Sequence, residues 1–316
     1  MTYFKYIKVF LKSIVFFFSL IITLTSYSQE LERPFILVKS TEREQILEKI
    51  NMQPWAKKIY EDLKLKTDVE VEKFYKNPSI YIKQLPFNWG ENDNSNFPPF
   101  FKTTHIRNGV QENLDNATDE DWKPAELIIT YLQVALDCGE MYYLTQDEKY
   151  AYMASSILYS FIKSVQQSEV SDWHGRGGWL FPYDGFREVR VIGYKLPLIY
   201  DFIHPYLRKE GKAFDIIKNE QVNFSFEDAQ KVFKTYANIT VNYGQTGSNH
   251  CALEAPSLVF NALAMDDEND REKWLSYFLT ESTDNQDALS VMVKNYKNEG
   301  DIWPETSQYL NHTTSI

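Results

Sequence analysis

Residues 244–254 read GQTGSNHCALE, and they put three reactive side-chain types within one loop-to-helix step. Gly, Ser and Asn make the loop. Asn249 offers two amide N–H donors, His250 is the side chain whose charge changes near neutral pH, and Glu254 follows one helical turn later on the same face. Only five histidines occur in the chain, so one placed between an amide, a thiol and a carboxylate invites a chemical reading. The plain alternative is a helix capped by Ser248 or Asn249 with a structural histidine beside the cap. A second group lies at 299–312, EGDIWPETSQYLNH, where Glu305, Tyr309 and His312 have spacings that let them converge. A tyrosine carries a proton in catalysis only if a neighbour lowers its pKa or shares the proton; otherwise Tyr309 is a packing residue.

These groups need elements to aim them. The sequence between Pro124 and Leu144 carries Ile128, Tyr131, Leu132, Ala135, Gly139 and Tyr142 on one helical stripe, with Asp121 and Pro124 suited to the helix start. The polar turn 145–149 follows. A second stripe runs through Tyr150, Met153, Ala154, Ile157, Leu158, Phe161 and Val165, so the two segments predict an antiparallel helical hairpin. Helical stretches are also expected within 41–78. Further helices are expected over 188–207, 225–241, 251–264, 268–280 and 286–297, with Phe226, Ala229, Val232, Phe233, Tyr236 and Ala237 aligned in the second of these. No stretch alternates long enough to read as a strand, and no fixed period points to a solenoid. The fold class expected is all-α, an incomplete (α/α) toroid built of antiparallel helical hairpins.

Two irregular segments interrupt the helices, and long irregular segments in compact domains usually carry function. The first, 84–121, is rich in Asn, Pro, Gly and aromatics and includes His105. The second is SDWHGRGGWLFPYDGFR at 171–187. Trp173, His174, Arg176, Trp179, Tyr183, Arg187 and Arg190 lie in or beside it, and could offer flat rings for sugar faces and guanidinium forks for carboxylates or sulfates. Arg187 and Arg190 could equally pair with Glu188 or Asp184 on a solvated face. His204, in a helix before Pro205, reads as structural.

Composition bounds the partners. The 316 residues are 43% hydrophobic and 16% aromatic, enough for a large core. Lys5, Lys8 and Lys12 precede the apolar run Ser13 to Leu24, and Ser26-Tyr27-Ser28 supplies a small-x-small cleavage site, so residues 1–28 read as a signal peptide and 29–316 as the mature catalytic domain. Cleavage there removes three of the 33 basic residues and none of the 44 acidic ones, taking the formal charge from −11 to −14. Nucleic acid is therefore not an expected partner. With no second long apolar run, no membrane association is expected after cleavage, and the location expected is periplasmic or secreted. Cys138 and Cys251 read as two buried thiols, with a bridge open to them in an oxidising compartment.

Together, GSNHCALEAPSLVFNAL and EGDIWPETSQYLNH resemble the catalytic region of the heparinase II/III-like polysaccharide lyases and the related alginate lyases. Those families open a toroid helix with an Asn-containing dipeptide and place a tyrosine about sixty residues on; here Asn249 and Tyr309 stand 60 positions apart. The hairpin helices and the segment REVRVIGYKLPLIYDFIHPYL are similar too, and the likeness spans about 35–316. The resemblance implies β-elimination on a uronic-acid polysaccharide, heparin-like or alginate-like. Asn249 would hydrogen-bond the sugar carboxylate, Tyr309 would act as base, acid or both, and His250 would assist neutralisation or act as base on one C5 epimer. Glu254 matches a family acidic position less securely and could serve to orient His250. No cofactor and no metal are implied, and the partner is an acidic polysaccharide. Members of the family continue into a β-sandwich domain that closes the cleft, and the sequence ends before one. Two other readings stay open: an α/α-barrel glycoside hydrolase, with Glu254 and Glu305 as nominal carboxylates, and a non-catalytic carbohydrate-binding protein.

Overall fold

A computed structural model describes residues 32–87, 106–107, 110–111, 119–167, 169–170, 177–181, 185–247 and 250–295, the stretches up to residue 122 after 87 as backbone alone. Residues 33–316 form one compact unit. The signal segment expected before Gln29 lies outside the described residues. Among those described, no helix is long and apolar enough to cross a membrane.

The helices are α1 (Arg43–Met52), α2 (Pro54–Lys76), α3 (Pro78–Lys83), α4 (Asp119–Thr145), α5 (Glu148–Val165), α6 (Gly185–Glu188), α7 (Lys195–Lys209), α8 (Phe226–Tyr243), α9 (His250–Ala264), α10 (Glu268–Leu279) and α11 (Leu289–Met292). Strands among the described residues are confined to two short antiparallel pairs: β1 (Ile106–Arg107) with β2 (Val110–Gln111), and β3 (Lys212–Asp215) with β4 (Glu220–Asn223). The chain is all-α in class, as its periodicities predict.

The hairpin of α4 and α5 shows why. Ile128, Tyr131, Leu132, Ala135 and Tyr142 are buried on α4. Gln146 takes a left-handed φ of 60° at the turn. Its side-chain amide donates to the carbonyls of Tyr142 and Tyr143 (3.3 and 3.1 Å), adding to the Gln146 N–H on the first (2.7 Å) and the Arg43 guanidinium on the second (2.8 Å). The Asp147 side chain then caps α5, accepting from the Lys149 N–H at 3.1 Å. From Tyr150 to Val165 only Lys163 escapes burial, so α5 is an interior helix wrapped by others. Helix α7 packs on both α4 and α5, and α8, α9 and α10 follow as sequential neighbours. The two cysteines are buried in separate places: Cys138 sits in the main core with its sulfur 3.8 Å from that of Met153, and Cys251 lies in a small cluster with Ala252 and Met292.

Two departures from the periodicity have clear causes. The single helix expected over 188–207 is broken. A π turn occupies Val189–Gly193, and α7 restarts at Lys195. Pro197, in the first turn of α7, has no N–H. It therefore cannot donate to the carbonyl of Gly193, four residues back. Asn261 of α9 replaces that donor: its buried Nδ2 lies 2.9 Å from the Gly193 oxygen and 2.7 Å from that of Ser257. Gly193 itself allows the approach, since a Cβ there would run into the Ser257 hydroxyl and lie 3.1 Å from the Tyr236 ring. Asn261→Leu strips the donor from a buried carbonyl. The expected cost is about 1–3 kcal/mol, read as a lower urea midpoint with the helical signal retained.

The second departure is the β3–β4 hairpin between α7 and α8, which is too short to show alternation. It hangs on α5. Ser155 Oγ donates to the Lys212 carbonyl, the Phe214 N–H donates to Ser156 Oγ at 2.9 Å, and Tyr159 donates to Asp215 Oδ2 at 2.8 Å. The other Asp215 oxygen accepts from the N–H groups of Ile217 and Lys218, turning the chain back. Of the helix expected over 286–297, the described residues form α11 and one 3-10 turn, Val293–Asn295.

Candidate functional site

The site is built where the start of α9 meets α6 and its π turn. Helix α9 begins at His250, and the described loop before it is 244–247. That loop is tied down from two sides. Inside, the Gln245 N–H donates to Glu254 Oε2 at 3.3 Å; outside, the Gly247 N–H donates to Asp287 Oδ2 at 2.8 Å. Gly247 takes a φ of 69°, which glycine adopts at little cost. Gly244 has no room for a side chain: a Cβ would collide with the Glu254 carboxylate and stand 2.7 Å from the carbonyls of Asn285 and Thr240. Glu254 is fully buried. Its contact with Gln245 makes it a tether of the loop that carries Asn249.

His250 faces the π turn. Its Nδ1 lies 3.1 Å from Arg190 Nη1. Arg190 is in turn anchored, with Nε donating to the Phe186 carbonyl at 3.2 Å and the guanidinium carbon 4.7 Å from the centre of the Phe186 ring. That ring also meets the imidazole edge-on, at 5.4 Å between centroids and 68° between planes. Phe186, Arg190 and His250 thus form one stack, brought together across 60 residues of chain. Neither the stack nor its order could be inferred from a one-dimensional pattern.

Two residues before Arg190 comes Glu188, which by sequence alone offers only a pairing with Arg187 or Arg190 on a solvated face. It is wholly buried. Its Oε2 accepts from the backbone N–H groups of Leu180 (2.8 Å) and Phe181 (2.9 Å), and its Oε1 accepts from the Tyr236 hydroxyl at 2.7 Å. Gly178 packs against the same carboxylate, where a Cβ would also stand 2.6 Å from the Phe181 carbonyl. Glu188 therefore staples the Gly-rich loop to α6 and α8. Burial pushes its carboxyl up to about 7, against those donors, which favour the ionised form. A carboxyl raised above its unfolded value of 4.5 stabilises the fold most at low pH and loses that contribution as pH rises through 7. Glu188→Gln removes the titration. The stability gap between wild type and this variant is expected to shrink by about 3 kcal/mol between pH 4.5 and 8, measured by urea denaturation at both.

The remaining sequence candidates divide. Trp179 is buried, with its ring 6.0 Å from that of Tyr236, so it packs under the loop and does not present a face to a sugar. Arg187 is exposed and Arg190 partly so. His204 is buried between the rings of Tyr200 and Phe226, and burial lowers its pKa to about 4, in keeping with a structural role. Asn249, Tyr309, Glu305, His312, Trp173, His174, Arg176, Tyr183 and His105 lie outside the described residues. Among the described residues no cluster of His, Cys, Asp and Glu is arranged to hold a metal ion.

A predominantly helical unit with an arginine–histidine pair at a loop-fed helix start is the setting for the comparisons. No family model matches the chain, and no solved structure matches it. Among curated proteins, an endo-acting ulvan lyase of Formosa agariphila is 25% identical over 291 residues, covering 90% of this chain and 32% of that protein. The chain is a distant homologue of that polysaccharide lyase, and it spans about a third of the length of the curated relative it matches.

Proposed function

We propose that this chain carries the helical part of a polysaccharide lyase that cleaves an acidic, uronate-containing polysaccharide by β-elimination. The observation that carries the reading is the Arg190–His250 pair at the head of α9, which lies within the sequence resembling heparinase II/III-like lyases, in a chain distantly homologous to an ulvan lyase. The heparinase II/III-like placement, the toroid layout and an exported location belong to the same proposal.

The chemistry explains why such a pair is useful. The proton on C5 of a uronate is weakly acidic, because the carbanion spreads onto the C6 carboxylate. In the elimination the C5–H bond breaks and its electron pair forms the C4=C5 double bond. The C4–O4 bond then breaks, and a proton is delivered to O4. The carboxylate gains charge as the C5 proton leaves, so donors and fixed positive charge beside it lower the barrier. His250 and Arg190 supply both, and Asn249 adds amide donors from the same loop. Tyr309 takes the C5 proton, returns one to O4, or does both. Electrostatic stabilisation plus proton transfer is sufficient for this reaction.

The test is a panel of polymers with ulvan, heparin-like chains and alginate, each followed for new ultraviolet absorbance from the 4,5-unsaturated sugar. Absorbance growing with one of them is expected. New reducing ends without absorbance would replace the lyase by a hydrolase, and binding without cleavage would leave a carbohydrate-binding protein.

A further inference from the structure

The contact between Arg190 and His250 fixes a proton as well as a position. A guanidinium has donors only and keeps its charge throughout the accessible pH range. With Arg190 Nη1 3.1 Å from Nδ1, the ring nitrogen has to accept. A neutral imidazole carries one N–H, so that hydrogen sits on Nε2. Arg190 is not free to swing away and release the choice. Its Nε is bonded to the Phe186 carbonyl, and its plane rests on the Phe186 ring that also abuts His250.

We propose that Arg190 is a positioning residue that locks His250 as the Nε2–H tautomer, so that His250 donates to the substrate carboxylate and does not take the C5 proton. This rests on the lyase reading above and chooses between the two roles that the resemblance left to His250. A histidine with Nδ1 engaged by a cation and Nε2 already protonated has no lone pair directed at a substrate proton. It is a fixed dipole backed by a positive charge, which is what a developing enolate needs. The proton of C5 therefore leaves to another group, and His250 exchanges no proton in the cycle. Among the described residues, the ionisable groups on the neighbouring segments fit that role. Arg190 comes from the π turn. Glu188, on the same turn, is directed inward to Tyr236 and the loop N–H groups. Glu254, further along α9, holds Gln245, and Asp287 holds Gly247 from the segment before α11.

Two measurements test this on the full chain. In nitrogen-15 NMR of the imidazoles, the His250 resonances are identified by their loss in His250→Gln. They are expected to show a protonated Nε2 and an acceptor-type Nδ1 at pH 7.5, and Arg190→Met is expected to release the ring to a mixture of tautomers. Kinetically, glutamine can place an amide N–H near the position of Nε2 but cannot act as a base. His250→Gln is expected to keep elimination within about tenfold to thirtyfold of wild type, while His250→Ala loses about 10²–10³-fold. A protonated Nδ1 in the wild type would overturn the tautomer assignment. Glutamine performing as badly as alanine would overturn the donor role. Failure of every polymer to yield an unsaturated product would instead remove the lyase reading, and with it the catalytic part of the proposal, while the NMR result still decides the tautomer.

Discussion

Tyr309→Phe is expected to lower the rate of elimination by about 10²–10⁴-fold while polymer binding is nearly unchanged. The substitution deletes one oxygen and leaves the ring. If that oxygen moves the proton, kcat falls and the dissociation constant does not, since the polymer is gripped by other side chains. The proposed reading gives this role to Tyr309. Tyr236, the tyrosine bonded to Glu188, is fully buried, its hydroxyl is committed to that carboxylate, and burial holds its pKa well above the ordinary value. It cannot cycle a proton with a bound sugar. On the proposed reading the proton carrier is therefore a different hydroxyl, which the resemblance assigns to Tyr309 in EGDIWPETSQYLNH, outside the described residues. The assay is single-turnover formation of the ultraviolet-absorbing product beside equilibrium binding of the intact polymer. Product formation near the wild-type rate would exclude Tyr309 from proton transfer, and a parallel loss of binding would make it a contact residue.

What the sequence made legible follows the range of the forces involved. The α4–α5 hairpin could be read because its stripes repeat every turn and its cap, Asp147, is local. The helix start at His250 could be read because loop residues run directly into an apolar helical pattern. The π turn was hidden within a helical pattern that continues on both sides of it, although Gly193 and Pro197 marked it; the donor that makes it tolerable comes from Asn261, far away in sequence. Trp179 shows a different limit. An aromatic in a glycine-rich loop looks alike whether it faces a ligand or the core, and only the buried carboxylate of Glu188 pulling Leu180 and Phe181 inward decides the matter. Arg190 was found as a basic residue near the loop, but its partner was not, because a contact across 60 residues leaves no local trace.

Arg33 left no signal at all, and its removal is expected to have the largest effect on stability. Its guanidinium is almost wholly buried and meets Asp201 of α7 at 2.9 Å. It also donates to the carbonyls of Leu263 and Ala264 at the end of α9, at 3.2 and 3.1 Å. The other Asp201 oxygen accepts from the N–H groups of Phe35 and Ile36, both at 2.9 Å. One ion pair therefore ties the segment before α1 to the middle of α7 and the last turn of α9. Removing Asp201 leaves the buried Arg33 charge with only the half-exposed, more distant Asp266 carboxylate at 3.6 Å, and removing Arg33 leaves the Asp201 carboxylate buried without its cation, so the expected loss is about 3–5 kcal/mol for Asp201→Ala or Arg33→Met. The two changes share one interaction. The double variant is therefore expected to lie within about 1 kcal/mol of the worse single variant, far short of the sum, as urea denaturation will show. Additive losses would mean that the backbone contacts, and not the pair, carry the stability. The fifteen residues of α9 separate this clasp from His250 by about 20 Å. Below its unfolding transition Asp201→Ala should consequently keep its rate of elimination, in contrast to every substitution at the Arg190–His250 end of the same helix.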